Sequence, residues 1–216
     1  MIVRWLGSVP YREALEAQRA HREALIEGRV GDELWLLEHP PVITTGRRVV
    51  TDLEPRRIVD AGYDLVVTER GGLATCHEPG QLVGYLLMDA RDLGVWRTVA
   101  AVEDGLIDWV KGRGAAAGRR EGYPGVWVGR EKVAAVGLHF RLGRTLHGFA
   151  LNLVNDLRGF GLVTPCGITD GGVTSMARLV EGAPSPAEAA AEIGAAVISS
   201  LDAAQGIVNR GGTEGT

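Results

Sequence analysis

Residues 132–153, KVAAVGLHFRLGRTLHGFALNL, read as two β-strands joined by a tight turn. If Leu142 and Gly143 form a two-residue turn, antiparallel pairing sets Gly137 directly opposite Gly148. Glycines that face each other inside strands mark either a tight corner or a place where a ligand or another backbone comes close. The sequence of the hairpin alone leaves both interpretations open.

The first strand of this hairpin begins with a rare residue type. The chain has 216 residues and 23 lysines and arginines, and of these cations only Lys111 and Lys132 are lysines. Lys111 fits an ordinary cation near a helix C-terminus. Because side chains alternate between the faces of a strand, Lys132 is predicted to share a face with the apolar residues Ala134, Val136, Leu138 and Phe140.

Helices and strands are predicted to alternate around the hairpin. Further strands are expected at 2–6, 33–39, 63–69, 81–89 and 125–128, and helices at 10–28, 97–112 and 186–206. We therefore expect an α/β (α+β) fold in which a mixed β-sheet is flanked by helices. Residues 1–205 are interpreted as one domain, and the glycine-rich, polar end 206–216 is predicted to be disordered.

Composition excludes several classes of protein. The net charge is −4 with both signs interspersed, which argues against a dedicated nucleic-acid binder. No apolar run is long enough for a membrane span, and the N-terminus lacks the pattern of a signal peptide, so we expect a cytoplasmic monomer. The two cysteines, Cys76 and Cys166, are too few for a disulfide framework and are expected to be free thiols.

Most familiar catalytic motifs are missing. The sequence contains no GxxxxGK[ST] phosphate loop, no GxSxG turn, no HExxH and no CxxC. His139 and His147 could share a face of the hairpin, but no third ligand is evident, so we expect no metal site and no cofactor.

Two segments remain as candidates for chemistry. Residues 70–81, RGGLATCHEPGQ, resemble a rigid loop whose backbone amides suit a polar or anionic group, although a simple Gly/Pro turn is the alternative. Cys76 and His77 are sequence neighbours that point to opposite faces of an extended chain, which weakens them as a catalytic pair. Cys166 lies in a stiff turn, TPCGITDGG, and a partly desolvated lysine such as Lys132 could stabilise its thiolate and also accept its proton.

Four ordered motifs resemble those of the lipoyl(octanoyl) transferase family. RGGLATCHEPGQ is similar to the family signature RGGxxTxHxPGQ, and the similarity continues in HPPVITTGR at 39–47, in the hairpin, and in PCGITDGGVTS at 165–175. Cys76 departs from the family pattern, which usually shows an aromatic residue there. Glu78 departs as well, because the family usually shows glycine.

The resemblance implies a fold like that of biotin and lipoate ligases. It also implies a reaction that moves an octanoyl group from acyl carrier protein to a lysine on a lipoyl domain. The acceptors would be lipoyl domains of 2-oxoacid dehydrogenase subunits and the glycine cleavage H protein. Basic pairs at 47/48 and 119/120 are candidates for docking the acidic carrier protein.

Residue by residue, Cys166 matches the acyl-thioester nucleophile of the family, and Lys132 matches the lysine that lowers its pKa. The substrate-binding segments implied by the match are Arg70, Gly71, Gly72, Leu73, Ala74, Thr75, Cys76 and His77, then Ala135, Val136 and Gly137, and finally Gly148, Phe149 and Ala150. The departure at Cys76 adds the expectation that its side chain touches substrate. Val136 and Leu138 are candidates for the wall of an acyl slot.

Three alternatives stay open on sequence grounds. An ATP-dependent ligase on the same fold would also carry the lysine but would not need Cys166. A non-catalytic acyl-binding module and a cysteine hydrolase that uses His77 are the other two.

Overall fold

The computed structural model describes residues 1–47, 53–163 and 171–211. The strands are β1 (Ile2–Ser8), β2 (Glu33–Glu38), β3 (Val42–Thr45), β4 (Asp64–Val67), β5 (Ala74–His77), β6 (Gln81–Leu87), β7 (Ala117–Gly118), β8 (Gly125–Val128), β9 (Glu131–Arg141), β10 (Arg144–Asn152) and β11 (Gly172–Val173). The helices are α1 (Tyr11–Ile26), α2 (Pro55–Asp60), α3 (Gly94–Gly112), α4 (Met176–Leu179) and α5 (Pro186–Gly211), with a 3₁₀ turn at Arg158–Leu162.

The strands form one large mixed sheet and one small sheet. The large sheet has the order β1-β2-β6-β10-β9-β8-β7, and β11 adds to β9. Its pairings are antiparallel except for β1 with β2 and β11 with β9. The small sheet has the order β4-β3-β5. This architecture confirms the predicted mixed sheet flanked by helices.

The β9–β10 hairpin has the predicted register. Gly137 lies opposite Gly148, and the turn residues Leu142 and Gly143 have φ angles of 49° and 74°. Two positive φ angles are the geometry of a two-residue turn whose twist matches that of its strands. The conformation of these two turn residues therefore fixes the register of the whole hairpin.

The main hydrophobic core lies between one face of the large sheet and the helices α3 and α5. Leu106 and Val110 of α3 and Ile193 and Val197 of α5 are fully buried in it. On the side of the sheet, this cluster is formed by strand residues that include Leu34, Leu82, Leu86, Phe149 and Leu151. The stripe of apolar residues that predicted each helix is the face that packs on the sheet.

Helix α5 is longer than the sequence predicts. It continues to Gly211, so the expectation of disorder from residue 206 onward is wrong for 206–211, and 212–216 lie outside the described residues. Ala204 and Val208 pack against the main core and extend its apolar stripe by one more turn. Residues 186–208 also have the length and apolar composition of a membrane span, yet Ile193, Val197 and Leu201 are buried against α3 and the sheet.

The α3–α5 contact requires a glycine, and a substitution there should be costly. A Cβ at Gly105 would lie 2.7 Å from the carbonyl oxygen of Ala196 and from the Cα of Val197. We predict that Gly105→Ala lowers the free energy of unfolding by about 1–3 kcal/mol, because backbone atoms must move to accept the methyl group. Urea unfolding measures the change.

The control is Gly112→Ala at the end of the same helix, where a Cβ would meet nothing within 4 Å. This variant should be as stable as the parent or more stable by about 0.5–1 kcal/mol, because alanine has the higher helix propensity. Equal losses from both substitutions would contradict the close-contact explanation.

Candidate functional site

A pocket lies on the face of the large sheet opposite the α3–α5 core. It encloses about 510 Å³ of empty space, part of which opens to solvent. Eleven of the residues that the sequence assigns to substrate binding line it: Arg70, Gly71, Gly72, Thr75, His77, Ala135, Val136, Gly137, Gly148, Phe149 and Ala150. The fold thus brings three distant segments of the chain to one place.

The remaining walls of this pocket were not identified from the sequence. They are Tyr11, Val83, Tyr85 and His147. Tyr11 comes from α1, and Val83 and Tyr85 come from β6, a strand with no motif that marks it as functional. His147 carried a signal, because it precedes the predicted facing glycine Gly148, but it was considered only as a metal ligand.

The facing glycines lie where the loop of residues 70–72 crosses the hairpin. A Cβ at Gly137 would come within 3.4 Å of the carbonyl oxygen of Gly71, and a Cβ at Gly148 would overlap the carbonyl oxygen of Gly84. Of the interpretations left open by the sequence, close approach of another backbone therefore applies. Another backbone comes close at these glycines, and the room they leave forms part of the pocket.

Arg70 is fixed in place by the small sheet. Its side chain is buried, with Nε donating to Thr44 Oγ1 at 3.1 Å and Nη2 to the carbonyl oxygen of Thr44 at 2.6 Å. Nη1 donates to the carbonyl oxygen of Gly71 at 3.0 Å. These bonds hold the glycine-rich loop against β3, so the loop is preorganised over the pocket.

One wall of the pocket is a set of buried rings that bond each other. His39 Nδ1 donates to the carbonyl oxygen of Val9 at 2.5 Å, which leaves Nε2 to accept the hydroxyl of Tyr85 at 2.6 Å. Burial lowers the pKa of His39 to about 4 and raises the pKa of Tyr85 well above its ordinary value. Both rings are therefore neutral at physiological pH.

His77 is held in a similar way by a side-chain network. Its Nδ1 donates to Gln81 Oε1 at 2.7 Å, and Gln81 Nε2 donates to Asn152 Oδ1 at 2.8 Å. Burial, together with the field of His39, holds the pKa of His77 well below its usual range. The ring of Tyr11 stacks beside it with centroids 5.7 Å apart. Of the two cysteines only Cys76 is among the described residues, and it packs in a separate cluster, so the structure does not pair it with His77 as a hydrolase dyad would require.

A β-bulge changes the predicted direction of Lys132. Val126 pairs with Ala134, but the next pair is Trp127 with Lys132, so Val133 is an extra residue in β9. Val126 and Ala134 face the main core, and Trp127 with its partner Lys132 lies on the other face of the sheet. The expectation that Lys132 shares the face of Ala134 is therefore wrong, since the bulge turns the lysine toward the pocket side.

The two residues expected to form the wall of an acyl slot differ in their contact with the pocket. Val136 lines the pocket, whereas Leu138 does not, and both residues also pack against the main core. They lie two positions apart on β9 and so share a face of the strand. Their role in an acyl slot stays a prediction.

Lys132 is buried on this side of the sheet. The residue is only 5% exposed. Nζ donates to the carbonyl oxygen of Pro124 at 3.0 Å and lies 5.0 Å from the ring centroid of Trp127. The amine therefore lies against a backbone carbonyl and an aromatic ring inside the protein.

Cys166 lies in residues 164–170, outside the described residues. The chain on the far side of that segment is fixed beside Lys132, because Val173 pairs with Lys132 and Thr174 N donates to its carbonyl oxygen at 3.0 Å. Cys166 is therefore seven residues away from a direct strand partner of Lys132.

Cys76 does not face the pocket, contrary to expectation. It is fully buried in a small cluster with Ile43, Ile58, Ala74 and Val163, and burial raises the pKa of its thiol above the ordinary value. Leu73 and Ala74 also lie outside the pocket lining. Alternation along β5 is the reason, because His77 faces the pocket and its neighbour Cys76 must face away.

Glu78, the second departure from the family pattern, is a buried carboxylate that binds the turn before the 3₁₀ helix. Its oxygens accept hydrogen bonds from Tyr63 Oη at 2.7 Å, Asn155 Nδ2 at 3.1 Å, Leu157 N at 2.8 Å and Gly159 N at 3.3 Å. The thiol of Cys76 lies 3.8 Å from the same carboxylate. The two departures are thus in contact with each other.

Two other predictions concern the histidines of the hairpin as metal ligands and the basic pairs as a docking site. His139 Nδ1 lies 3.2 Å from Arg22 Nη1, and among the described residues no group of three or more His, Cys, Asp or Glu side chains could hold a metal ion. Arg119, a candidate for docking the carrier protein, is paired with Glu103 and Asp104. Its charge is compensated within the chain, and Arg48 lies outside the described residues.

Comparison with known proteins shows which family and which relatives this chain is similar to. Residues 10–198 match the family model described as the lipoyl protein ligase A/B catalytic domain. An octanoyltransferase of Novosphingobium aromaticivorans is 43% identical over 185 residues, which cover 82% of both chains. An octanoyltransferase of Mycobacterium tuberculosis (strain H37Rv) is 44% identical over 204 residues, 93% of this chain and 86% of the relative.

Solved structures share the fold at much lower identity. The bipartite lipoate protein ligase of Thermoplasma acidophilum, studied with its E2 lipoyl domain, superposes with a TM-score of 0.66 at 18% identity over 94% of this chain and 82% of that one. A lipoate-protein ligase A bound with ATP gives a TM-score of 0.70 at 16% identity, over 94% and 85%.

The buried neutral histidines predict how stability depends on pH. The folded-state pKa is about 4 for His39, about 3 for His147 and well below the usual range for His77, and burial is the first cause in each case. The unfolded chain binds protons at these rings below about pH 6.5, while the folded chain does not. Stability is therefore full above that pH and is lost as the pH falls toward 4, by about 1–2 kcal/mol at about pH 5 for each of His39 and His147, and His77 acts in the same direction.

The measurement is urea unfolding at about pH 7 and about pH 5. His39→Asn, which keeps a donor for Val9, should lose less stability between these values than the parent does. His21→Asn, at a partly exposed ring, should keep the pH dependence of the parent. A His39 variant with the parent's full loss would refute the assignment.

Proposed function

The chain belongs to the lipoyl protein ligase A/B catalytic-domain family, and from that premise we propose that its acyl donor is octanoyl acyl carrier protein and that the octanoyl group passes through a thioester on Cys166. Octanoyl transfer in protein lipoylation is the activity supported by its octanoyltransferase relatives, and the chain is an acyltransferase. The acceptor is the lysine of a lipoyl domain. The observation that carries the proposal is the pocket itself, with Lys132 turned toward its side of the sheet.

The pocket suits a neutral hydrocarbon chain. Among the described residues that line it, none has a carboxylate, and its histidines are neutral. The guanidinium of Arg70 donates hydrogen bonds to Thr44 and Gly71, and these bonds hold the wall of the pocket together. Each buried methylene of an acyl chain contributes about 0.8 kcal/mol to binding.

The first half-reaction transfers the acyl group to the enzyme. Lys132 accepts the proton of the Cys166 thiol and stabilises the thiolate, which attacks the carbonyl carbon of the donor thioester. A new C–S bond forms, the bond to the carrier sulfur breaks, and Lys132 returns the proton to that sulfur, so the carrier leaves as its thiol and Lys132 is neutral. Backbone amides of the glycine-rich loop hold the oxyanion that develops on the carbonyl oxygen.

The second half-reaction forms the amide. The neutral acceptor amine attacks the thioester of Cys166, one of its protons passes to Lys132, and Cys166 leaves as the thiolate, which the protonated Lys132 stabilises. An amide is more stable than a thioester, so the transfer needs no ATP. Arginine cannot replace Lys132 in this step, because a guanidinium keeps its proton at any physiological pH.

The two cysteines provide a matched pair of variants. We predict that the protein incubated with octanoyl carrier protein gains one octanoyl unit by intact mass without ATP. Cys166→Ser should lose the rapid transfer to a lipoyl domain, and Cys76→Ala should form the adduct as the parent does, because Cys76 faces the small cluster. An adduct that survives in Cys166→Ser and disappears in Cys76→Ala would contradict the proposal.

The two lysines provide a second pair. Lys132→Arg keeps the positive charge but removes the proton acceptor, so we predict a fall of about 10²–10⁴-fold in octanoyl transfer to a lipoyl domain. Lys111→Arg, at the end of α3, should retain the parent rate. Full activity of Lys132→Arg would exclude Lys132 as the base.

The ATP-dependent ligase is the second candidate, because a ligase with bound ATP shares this fold. It predicts that free octanoate is transferred only when ATP is present and that no adduct forms on Cys166. The mass measurement with and without ATP separates the two mechanisms.

A further inference from the structure

A chain of hydrogen bonds leads from the pocket to the backbone of Lys132. His77 lines the pocket, and its Nδ1 donates to Gln81 Oε1 at 2.7 Å. Gln81 Nε2 donates to Asn152 Oδ1 at 2.8 Å, and Asn152 Nδ2 donates to the carbonyl oxygen of Thr174 at 2.9 Å. Thr174 N in turn donates to the carbonyl oxygen of Lys132 at 3.0 Å. Two amide side chains therefore join a wall of the pocket to the strand neighbour of the lysine.

Two backbone carbonyl groups fix the direction of this chain. Gln81 Nε2 also donates to the carbonyl oxygen of Cys76 at 3.1 Å, and a carbonyl oxygen only accepts hydrogen bonds. Gln81 must therefore turn its nitrogen toward Cys76 and Asn152 and its oxygen toward His77. In the same way, the carbonyl oxygen of Thr174 requires the nitrogen of Asn152, which leaves the oxygen of Asn152 for Gln81. Each amide thus has one orientation that satisfies all of these bonds.

The chain lies in the interior of the protein. Gln81, Asn152 and Thr174 are 1%, 4% and 1% exposed. Loss of one bond here leaves a buried donor or acceptor unpaired, which is more unfavourable than the same loss at the surface. The buried amides therefore resist rearrangement and hold the groups at their two ends at a fixed separation.

The short strand β11 is the element that this chain holds. It pairs with β9 over two residues, and its residue Val173 is the partner of Lys132. A strand of two residues forms few backbone hydrogen bonds of its own. Asn152 adds a side-chain bond from β10, directly after β11, at Thr174. The place of β11 on the sheet therefore depends on a side chain as well as on backbone pairing.

We propose that Gln81 and Asn152 are positioning residues for octanoyl transfer, which hold β11 at a fixed place relative to the acyl pocket and Lys132. The inference rests on the proposed function, in which Lys132 is the base and a residue shortly before β11 is the nucleophile. The pocket lining formed by the described residues includes neither amide. Their loss therefore acts on the alignment of reacting groups, where a displacement of about 1 Å changes the rate by up to about 10²-fold.

The first test compares two buried asparagines of the same network. Asn155 is also 4% exposed and also donates to Asn152 Oδ1, but its other bond goes to Glu78 Oε1 at 3.1 Å instead of to Thr174. We expect Asn152→Ser to lower kcat for octanoyl transfer to a lipoyl domain by about 10–100-fold at an unchanged KM for the carrier donor. Asn155→Ser should keep kcat within about twofold of the parent. Equal falls in both variants would reflect a general loss of the network and would overturn the inference.

The second test asks whether Asn152 acts through Lys132. Residues that act on one step together have effects that do not multiply. We therefore expect Asn152→Ser to lower kcat by no more than about threefold further when it is added to Lys132→Arg. A further fall as large as the one seen in the parent would show that Asn152 acts independently of the lysine, and that result would overturn the inference.

Gln81→Met provides a second variant if Asn152→Ser does not fold. Methionine has a similar volume but lacks the donor that orients Asn152, so we expect kcat to fall and the fall to disappear when Lys132→Arg is also present. A parent protein that transfers no octanoyl group from the carrier overturns both the proposed function and this inference. A parent that transfers it, with Lys132→Arg impaired but Asn152→Ser and Gln81→Met at the parent kcat, overturns only the role of the two amides.

Discussion

The antiparallel pairing of β9 with β10 is the interaction on which the rest of the site depends. It brings Gly137 and Gly148 side by side, and these positions without side chains leave room for the loop of residues 70–72 at Gly137 and for the backbone of β6 at Gly148. Any side chain at Gly148 would overlap the backbone of β6, so the hairpin, the neighbouring strand and the loop fit together in one arrangement only. The space that remains is the pocket.

The second organising feature is the way in which polar and charged groups around that pocket are satisfied, including Arg70, which donates to Thr44 and Gly71. A buried polar group is tolerated when it is hydrogen-bonded, and a buried charge is costly unless it is compensated. His39 and His77 meet this condition as neutral rings with donors and acceptors arranged around them. Lys132 lies at the edge of the arrangement, where a carbonyl oxygen and an indole ring surround its amine. A buried amine on the pocket side of the sheet suits the acyl transfer between a thiol and an amine that is proposed above.

The sequence predicted those parts of the fold that depend on local pattern. The hairpin register followed from two turn residues, and the main helices followed from their apolar stripes. The family resemblance pointed to three segments that together line most of the pocket, because each segment is continuous in sequence. Tyr11 and Tyr85 were missed because they join the pocket only through tertiary packing, and no local pattern marks them. The bulge at Val133 was missed for a related reason, since an extra residue in one strand shows only against its partner β8.

Cys76 and Glu78 depart from the family pattern separately in sequence but act as one unit in space. A methyl group on Gly159 would overlap the sulfur of Cys76, so the small thiol leaves room for the backbone that Glu78 binds. An aromatic residue at 76 would occupy the path of that backbone, and a glycine at 78 would leave the N–H groups of Leu157 and Gly159 without their acceptor. The two positions are therefore expected to be epistatic. An evolutionary or engineered path toward the usual family residues would have to change both positions, together with the turn at Gly159, before any intermediate becomes as stable as the present chain.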